Sequence, residues 1–203
     1  LFLFLFLPIV LLVYFAGGRR LRNGVLLAAS LLFYSWGERE VVLVMIASIL
    51  ANYGFGLWTE RSRAGGGRLA VAAAVVFNIG LLVAYKYANW IWAGLSAAVK
   101  STGLSADGLP VLGRVFSPLL EGLGIADSPL PDDWTIRLPI GISFFTFQAL
   151  SYVIDVHRGH ARVQKNPVHF GVYISLFPQL IAGPIVRYRD VAEQILNRVV
   201  TLD

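Results

Sequence analysis

The sequence predicts an all-α, polytopic integral membrane protein. Three observations carry that prediction: a lipid-like composition, a series of charge-free runs, and clusters of basic residues in alternate connections. Hydrophobic residues make up 57% of the 203 positions and charged residues only 14%, with a mean hydropathy of +0.68. A water-soluble domain carries about 25% charge, so the deficit points to lipid as the solvent. Charge-free runs place spans near residues 1–18, 23–37, 41–58, 69–85, 138–154 and 166–186. A helix needs about 20 apolar residues to cross the hydrocarbon. The spans read as a single membrane domain over residues 1–203, since no hydrophilic linker divides them.

The first run, LFLFLFLPIVLLVYFA, has no positive leader and is followed by Gly17-Gly18-Arg19-Arg20. It therefore reads as a membrane segment whose extreme N-terminus is missing, not as a signal peptide. The run 23–37 is short for a crossing, and either tilts or pairs with 41–58 as a hairpin. Beyond Lys86, the apolar stretch Tyr87–Val99 continues the helix or turns along the surface. Residues 98–137 are rich in Gly, Pro and Ser and read as an outward loop, with a short helix near Val111–Leu123 and Trp134 as an interfacial anchor. In 187–200, Val191, Ile195, Leu196 and Val199 share one helical face, the pattern of an amphipathic interfacial helix. No terminal signal precedes Asp203, so the domain is expected to be incomplete at its C-terminus.

The formal net charge is +5. Its basic residues cluster as Arg19, Arg20 and Arg22, as Arg61, Arg63 and Arg68, and as Arg158, Arg162 and Lys165. If each span crosses once, all three connections lie on one side, which the positive-inside rule makes cytoplasmic. Topology thus accounts for the charge without a nucleic-acid partner. With no Cys, disulfides and thiolate metal sites are excluded.

No glycine-rich phosphate loop, G-x-S-x-G elbow or zinc-protease helix is present, and Gly65-Gly66-Gly67 reads as a flexible turn. His157 and His160 lie among arginines with no clustered acid or thiol, which favours a solvated role over a metal site. His169 sits inside an apolar run and is expected to hydrogen-bond within the bundle. Asn52 and Asn78 are expected to hydrogen-bond between helices. Asp155, at the end of a span, is either a functional carboxyl or one half of a local ion pair with Arg158. Lys86 either snorkels to the interface or points at an anionic ligand. Pro178, Gly183 and Pro184, with Gln179 and Arg187, break an uncharged run in a way that suits a tunnel or re-entrant segment. These residues, with Lys86 and Asp155, are the substrate-path candidates; no metal site is expected.

Two stretches, LPIGISFFTFQALSYVIDVHRG (138–159) and FPQLIAGPIVRYRD (177–190), carry a specific resemblance. Together with FLFLFLPI (2–9), RNGVLLAASLLFYSWG (22–37) and YKYANW (85–90), they resemble the membrane-bound O-acyltransferase family, in its alginate O-acetyltransferase branch. The resemblance covers most of the chain except the loop 98–137. It implies a multi-pass enzyme of the bacterial inner membrane that takes an acyl group from a cytoplasmic thioester, with acetyl-CoA as donor and no bound cofactor. The group would pass toward hydroxyls of an exported, alginate-like polysaccharide, with the bilayer and extracytoplasmic polysaccharide-modifying proteins as partners. The family's catalytic His lies in a Trp-His-Gly context in the second half of longer proteins, and this chain has no Trp-His pair. The resemblance therefore places no catalytic residue in this chain, which would supply wall and entrance and be inactive alone. Some relatives carry His where Gln179 stands. The competing readings are a non-catalytic membrane scaffold and a transporter subunit, since transporters also use broken helices and intramembrane acids; no inverted repeat is visible.

Overall fold

Helices form where the charge-free runs lie, and glycine, proline and asparagine set their ends. The computed structural model describes residues 2–18, 21–37, 41–101, 138–182 and 186–196. A π-helical turn over Phe2–Phe6 opens into α1 (Leu7–Ala16). Pro8 has no N–H to give the preceding turn, which accounts for the wider winding there. Then follow α2 (Arg22–Gly37), α3 (Val42–Ser62), a short 3-10 turn over Arg63–Gly65, and α4 (Arg68–Ser101). After the gap come α5 (Ile142–Arg158), α6 (Pro167–Ser175), α7 (Phe177–Ala182) and α8 (Tyr188–Leu196). No strand occurs among the described residues, and the all-α membrane class holds.

Two helices are long and apolar enough to cross a bilayer, Val42–Gly65 and Arg68–Tyr87, and they contain the expected spans 41–58 and 69–85. The run 166–186 is not one helix. It breaks at Leu176 (φ −52°, ψ 113°), because Pro178 has no N–H to donate to Ile174 O and its ring would crowd that carbonyl, while a proline is tolerated in the first turn of a new helix. The helix α4 continues through Ser101, so the stretch after Lys86 extends the helix and no loop begins at 98. The expected helix near Val111–Leu123, the acidic connection 38–40 and residues 197–203 lie outside the described residues.

By packing, the chain divides into two units, Leu1–Ile79 with Ile140–Asp203, and Gly80–Pro139. In the first, α3 packs against α5 and α6 packs chiefly against α2 and α3. Gly56 lies so close to Tyr152 that a Cβ would sit 2.6 Å from its Cε1, and the Arg63 guanidinium lies against Gly159. Those pairings run in step, so α3 and α5 point the same way. Gly141 and Gly159, both at φ 76°, bound α5 in the left-handed conformation that glycine adopts most easily. At its C-terminus the His160 N–H reaches Asp155 O at 2.9 Å and the Gly159 N–H reaches Val156 O at 3.1 Å, a Schellman closure. Asn166 caps α6 by accepting from the Val168 N–H at 2.9 Å, with Pro167 in the first turn. The turn at Gly65-Gly66-Gly67 is closed by hydrogen bonds from Gly66 to Arg63 O and Gly67 to Ser62 O, with Gly66 and Gly67 at positive φ.

The second unit contains the later turns of α4. There Lys86 is exposed and its ammonium stands 5.6 Å from the Tyr87 ring centroid.

Candidate functional site

The interior of the first unit is unusually polar for a bundle of apolar helices. Ser30, Ser48, Asn52, Thr59, Asn78, Thr146, Gln148, Asp155, Gln164 and Ser175 are all buried. They separate into two groups with different chemistry.

The first group ties α3 to α4. Asn52 Nδ2 donates to Asn78 Oδ1 at 3.1 Å and Asn78 Nδ2 donates back to Asn52 Oδ1 at 2.7 Å. Each amide also donates to a carbonyl one turn earlier, Ser48 O and Ala74 O. The interhelical bond expected of these two residues is made by each to the other.

The second group lies where α5, α6, α8 and the segment 160–166 meet. Gln164 is its hub. Its backbone N–H donates to the Tyr152 hydroxyl at 2.9 Å, its Nε2 donates to the Tyr188 hydroxyl at 2.8 Å, and its Oε1 accepts from the Asn166 N–H at 2.9 Å. Gln148 Nε2 donates to Tyr173 O at 2.7 Å, and the Tyr173 hydroxyl donates to Val186 O at 3.0 Å. The rings pack edge to face, with Tyr188 5.1 Å from both Tyr152 and Tyr173, while Phe170 sits 4.7 Å from Tyr152. Burial holds the Tyr188 phenol above its usual 10.0, opposed by the Gln164 amide.

Several side-chain atoms on these helices are buried without a hydrogen-bond partner. They are Thr59 Oγ1, Thr146 Oγ1, Gln148 Oε1, Asp155 Oδ2, His169 Nδ1 and Gln179 Nε2. Each such atom costs about 1–3 kcal/mol, and native folds keep few of them, so each calls for an explanation beyond packing. Asp155 is the most telling. It is 6% exposed and forms no ion pair with Arg158, which is exposed, so the local-pair alternative fails. His169 is half-buried, and its Nδ1 has no hydrogen-bond partner.

The other candidates spread out. Gln179 is half-buried on α7, Pro178 is exposed on the same helix, and Arg187 is exposed just ahead of α8. Gly183 and Pro184 lie outside the described residues, and Lys86 belongs to the second unit. The tyrosines 152, 173 and 188 and the glutamines 148 and 164 were missed, because residues on separate elements leave no local spacing to detect. An apolar groove of about 960 Å³ between α1 and α2, lined by Phe2, Phe6, Val25, Phe33 and Trp36, offers the hydroxyl of Ser35, which is already bonded to Leu32 O. It can hold apolar groups but carries no chemistry. Among the described residues no cluster of His, Asp and Glu could hold a metal ion.

Comparison with known proteins places this arrangement. The chain is 37% identical, over its whole length, to the probable alginate O-acetylase AlgI of Pseudomonas syringae pv. tomato. Along its whole length this chain is similar to the alginate O-acetylases. The corresponding proteins of Pseudomonas putida and Pseudomonas aeruginosa are 36% and 35% identical, again over the entire chain. The peptidoglycan O-acetyltransferase of Helicobacter pylori is 26% identical over 98% of it. The chain spans only about a third of the alginate O-acetylases' own length, 35% for the P. syringae protein and 37% for that of P. putida. No family model and no solved structure matches it.

Proposed function

We propose that this chain is the wall and entrance of a multi-pass polysaccharide O-acetyltransferase of the bacterial inner membrane, of the membrane-bound O-acyltransferase type. The observation that carries the reading is the 35–37% identity to alginate O-acetylases along the entire chain. In this reading the acceptor is a hydroxyl of an exported, alginate-like polymer, and the donor is a cytoplasmic thioester such as acetyl-CoA. The acceptor oxygen, directly or through an extracytoplasmic partner protein, takes the acetyl carbon. The C–S bond breaks, and the thiol leaves with the proton the hydroxyl gives up.

The polar core supports a role in lining the acyl path. A buried carboxyl oxygen and an amide oxygen without partners, Asp155 Oδ2 and Gln148 Oε1, are costly in an apolar bundle and are tolerated where polar groups must pass or be held. The general base that such a transfer needs is assigned outside this chain, which carries no Trp-His pair. Gln179, in the first turn of α7 after the break at Leu176, is a path residue in the same reading.

The test is complementation. A bacterium lacking its polymer O-acetylase would receive the full-length protein or the 203-residue chain, and acetyl esters on the exported polymer would be read by NMR. Ester restored by the full-length protein alone is the expected result. Ester restored by the 203-residue chain would refute the assignment of the base, and no restoration by the full-length protein would refute the function.

A further inference from the structure

The groove between α1 and α2 ends on an arginine, and the polar core uses neither of them. With its opening turn, α1 runs antiparallel to α2. The Phe2 and Phe33 rings meet 5.1 Å apart at one end, and the Arg22 guanidinium carbon stands 5.2 Å from the Tyr14 ring centroid at the other. Between those contacts lies the groove of about 960 Å³, with Leu5, Ile9, Val13, Ala28 and Leu32 exposed along it. Its walls offer an occupant apolar contact, since the Ser35 hydroxyl is already bonded to Leu32 O.

Arg22 supplies a polar end. Its Nε is buried without a hydrogen-bond partner, and among the described residues it forms no ion pair. The adjacent Asn23 donates from Nδ2 to Ile195 O at 2.9 Å, which fixes the end of the amphipathic α8 beside it. An amphipathic helix lies at the headgroup boundary, so Arg22 stands at the depth of lipid phosphates. Positive-inside topology accounts for an arginine there. It does not account for a charged donor held out of water with nothing to donate to, which is costly.

The length of the groove points to the occupant. From Val25 to Trp36, the residues of α2 that line it, the helix rises about 16 Å. One leaflet, half of a core about 30 Å thick, is about 15 Å deep. A crossing helix from elsewhere in the protein would be about twice that length, and its apolar face would leave the Arg22 Nε unpaired. A phospholipid fits both parts, with an acyl chain for the groove and a phosphate for the guanidinium, a strong charge-assisted pair. We propose that this groove holds one anionic phospholipid, its acyl chain lying along α1 and α2 and its phosphate on Arg22. The inference is independent of the acyl-transfer reading.

The experiment uses the full-length protein in phosphatidylcholine nanodiscs with an increasing fraction of phosphatidylglycerol that carries a diazirine on one acyl chain. After irradiation, labelled peptides are mapped by mass spectrometry. Label on α1 and α2 should saturate, and the half-saturating fraction should rise about tenfold in Arg22→Gln. Ala28→Trp fills the groove from an exposed position and should abolish the saturable label. The two variants act at opposite parts of the site, so misfolding of one leaves the other readable. Arg61→Gln, an exposed cation in the last turn of α3, should leave the midpoint unchanged. Label that rises without saturating, or an equal shift in Arg61→Gln, would mean bulk lipid or general surface charge and overturns the proposal. Absence of label from α1 and α2 also overturns it, because another helix or a second copy then covers the groove.

Discussion

The amide pair between α3 and α4 and the polar core under α5 are built from the same residue types and behave differently. Asn52 and Asn78 satisfy each other and add carbonyls from their own helices, so their amide nitrogens and oxygens are all engaged. Around α5, hydrogen bonds are numerous but incomplete, with Gln148 Oε1, Thr146 Oγ1 and Asp155 Oδ2 left over. A closed polar network adds specificity to helix pairing. An open one bears a cost that packing alone does not recover. The comparison separates a polar pair that closes on itself from a polar core with groups left over.

The sharpest way to break that contrast is steric. In Gly56→Leu the side chain would drive into Tyr152 at the α3–α5 contact. About 2–3 kcal/mol of stability should be lost, read as a lower melting temperature of the full-length protein in detergent. Next comes Asp155→Asn. It keeps the shape and removes a carboxyl that has no partner at Oδ2, so melting temperature should hold or rise while O-acetylation falls at least about tenfold, or about 1.4 kcal/mol. A drop in both together would return Asp155 to a structural role.

Smaller effects sharpen the other side. Asn52→Leu should cost about 0.6–1.7 kcal/mol by stranding Asn78, with activity per folded molecule unchanged. The double variant Asn52→Leu/Asn78→Leu should recover most of the loss, and failure to recover would mean that the pair is not the relevant coupling. The smallest change is expected for Tyr188→Phe, which releases one Gln164 bond and costs about 0.5–1 kcal/mol. Because the Tyr188 phenol is raised in the folded state, its contribution is complete below pH 10.0 and lost as pH rises further. Melting curves of wild type and Tyr188→Phe should therefore converge above that pH.

Legibility in the sequence followed the range of the signal. The charge-free runs located the helices because desolvating a charge is costly enough to leave a mark on every span. Asn52 and Asn78 stood out because each is a lone amide in an apolar run. The break ahead of Pro178 was visible as proline, and its position at Leu176 follows from the hydrogen bond to Ile174 O that Pro178 cannot make. The core tyrosines were not legible. Tyr152, Tyr173 and Tyr188 meet only because the segment 160–166 folds back to place Gln164 among them, and aromatic residues in apolar runs otherwise read as ordinary membrane composition.

The interruption at Leu176 bears on biogenesis. Neither α6, with nine residues, nor α7, with six, approaches the about 20 that allow a segment to partition into a bilayer by itself. Yet Phe170 through Ser175 are wholly buried, against α2 and α3 above all. During synthesis this stretch must therefore wait outside the lipid until earlier helices present a receiving surface. Its entry is then a docking event, and defects in α2 or α3 would surface as failed insertion of a segment more than a hundred residues downstream.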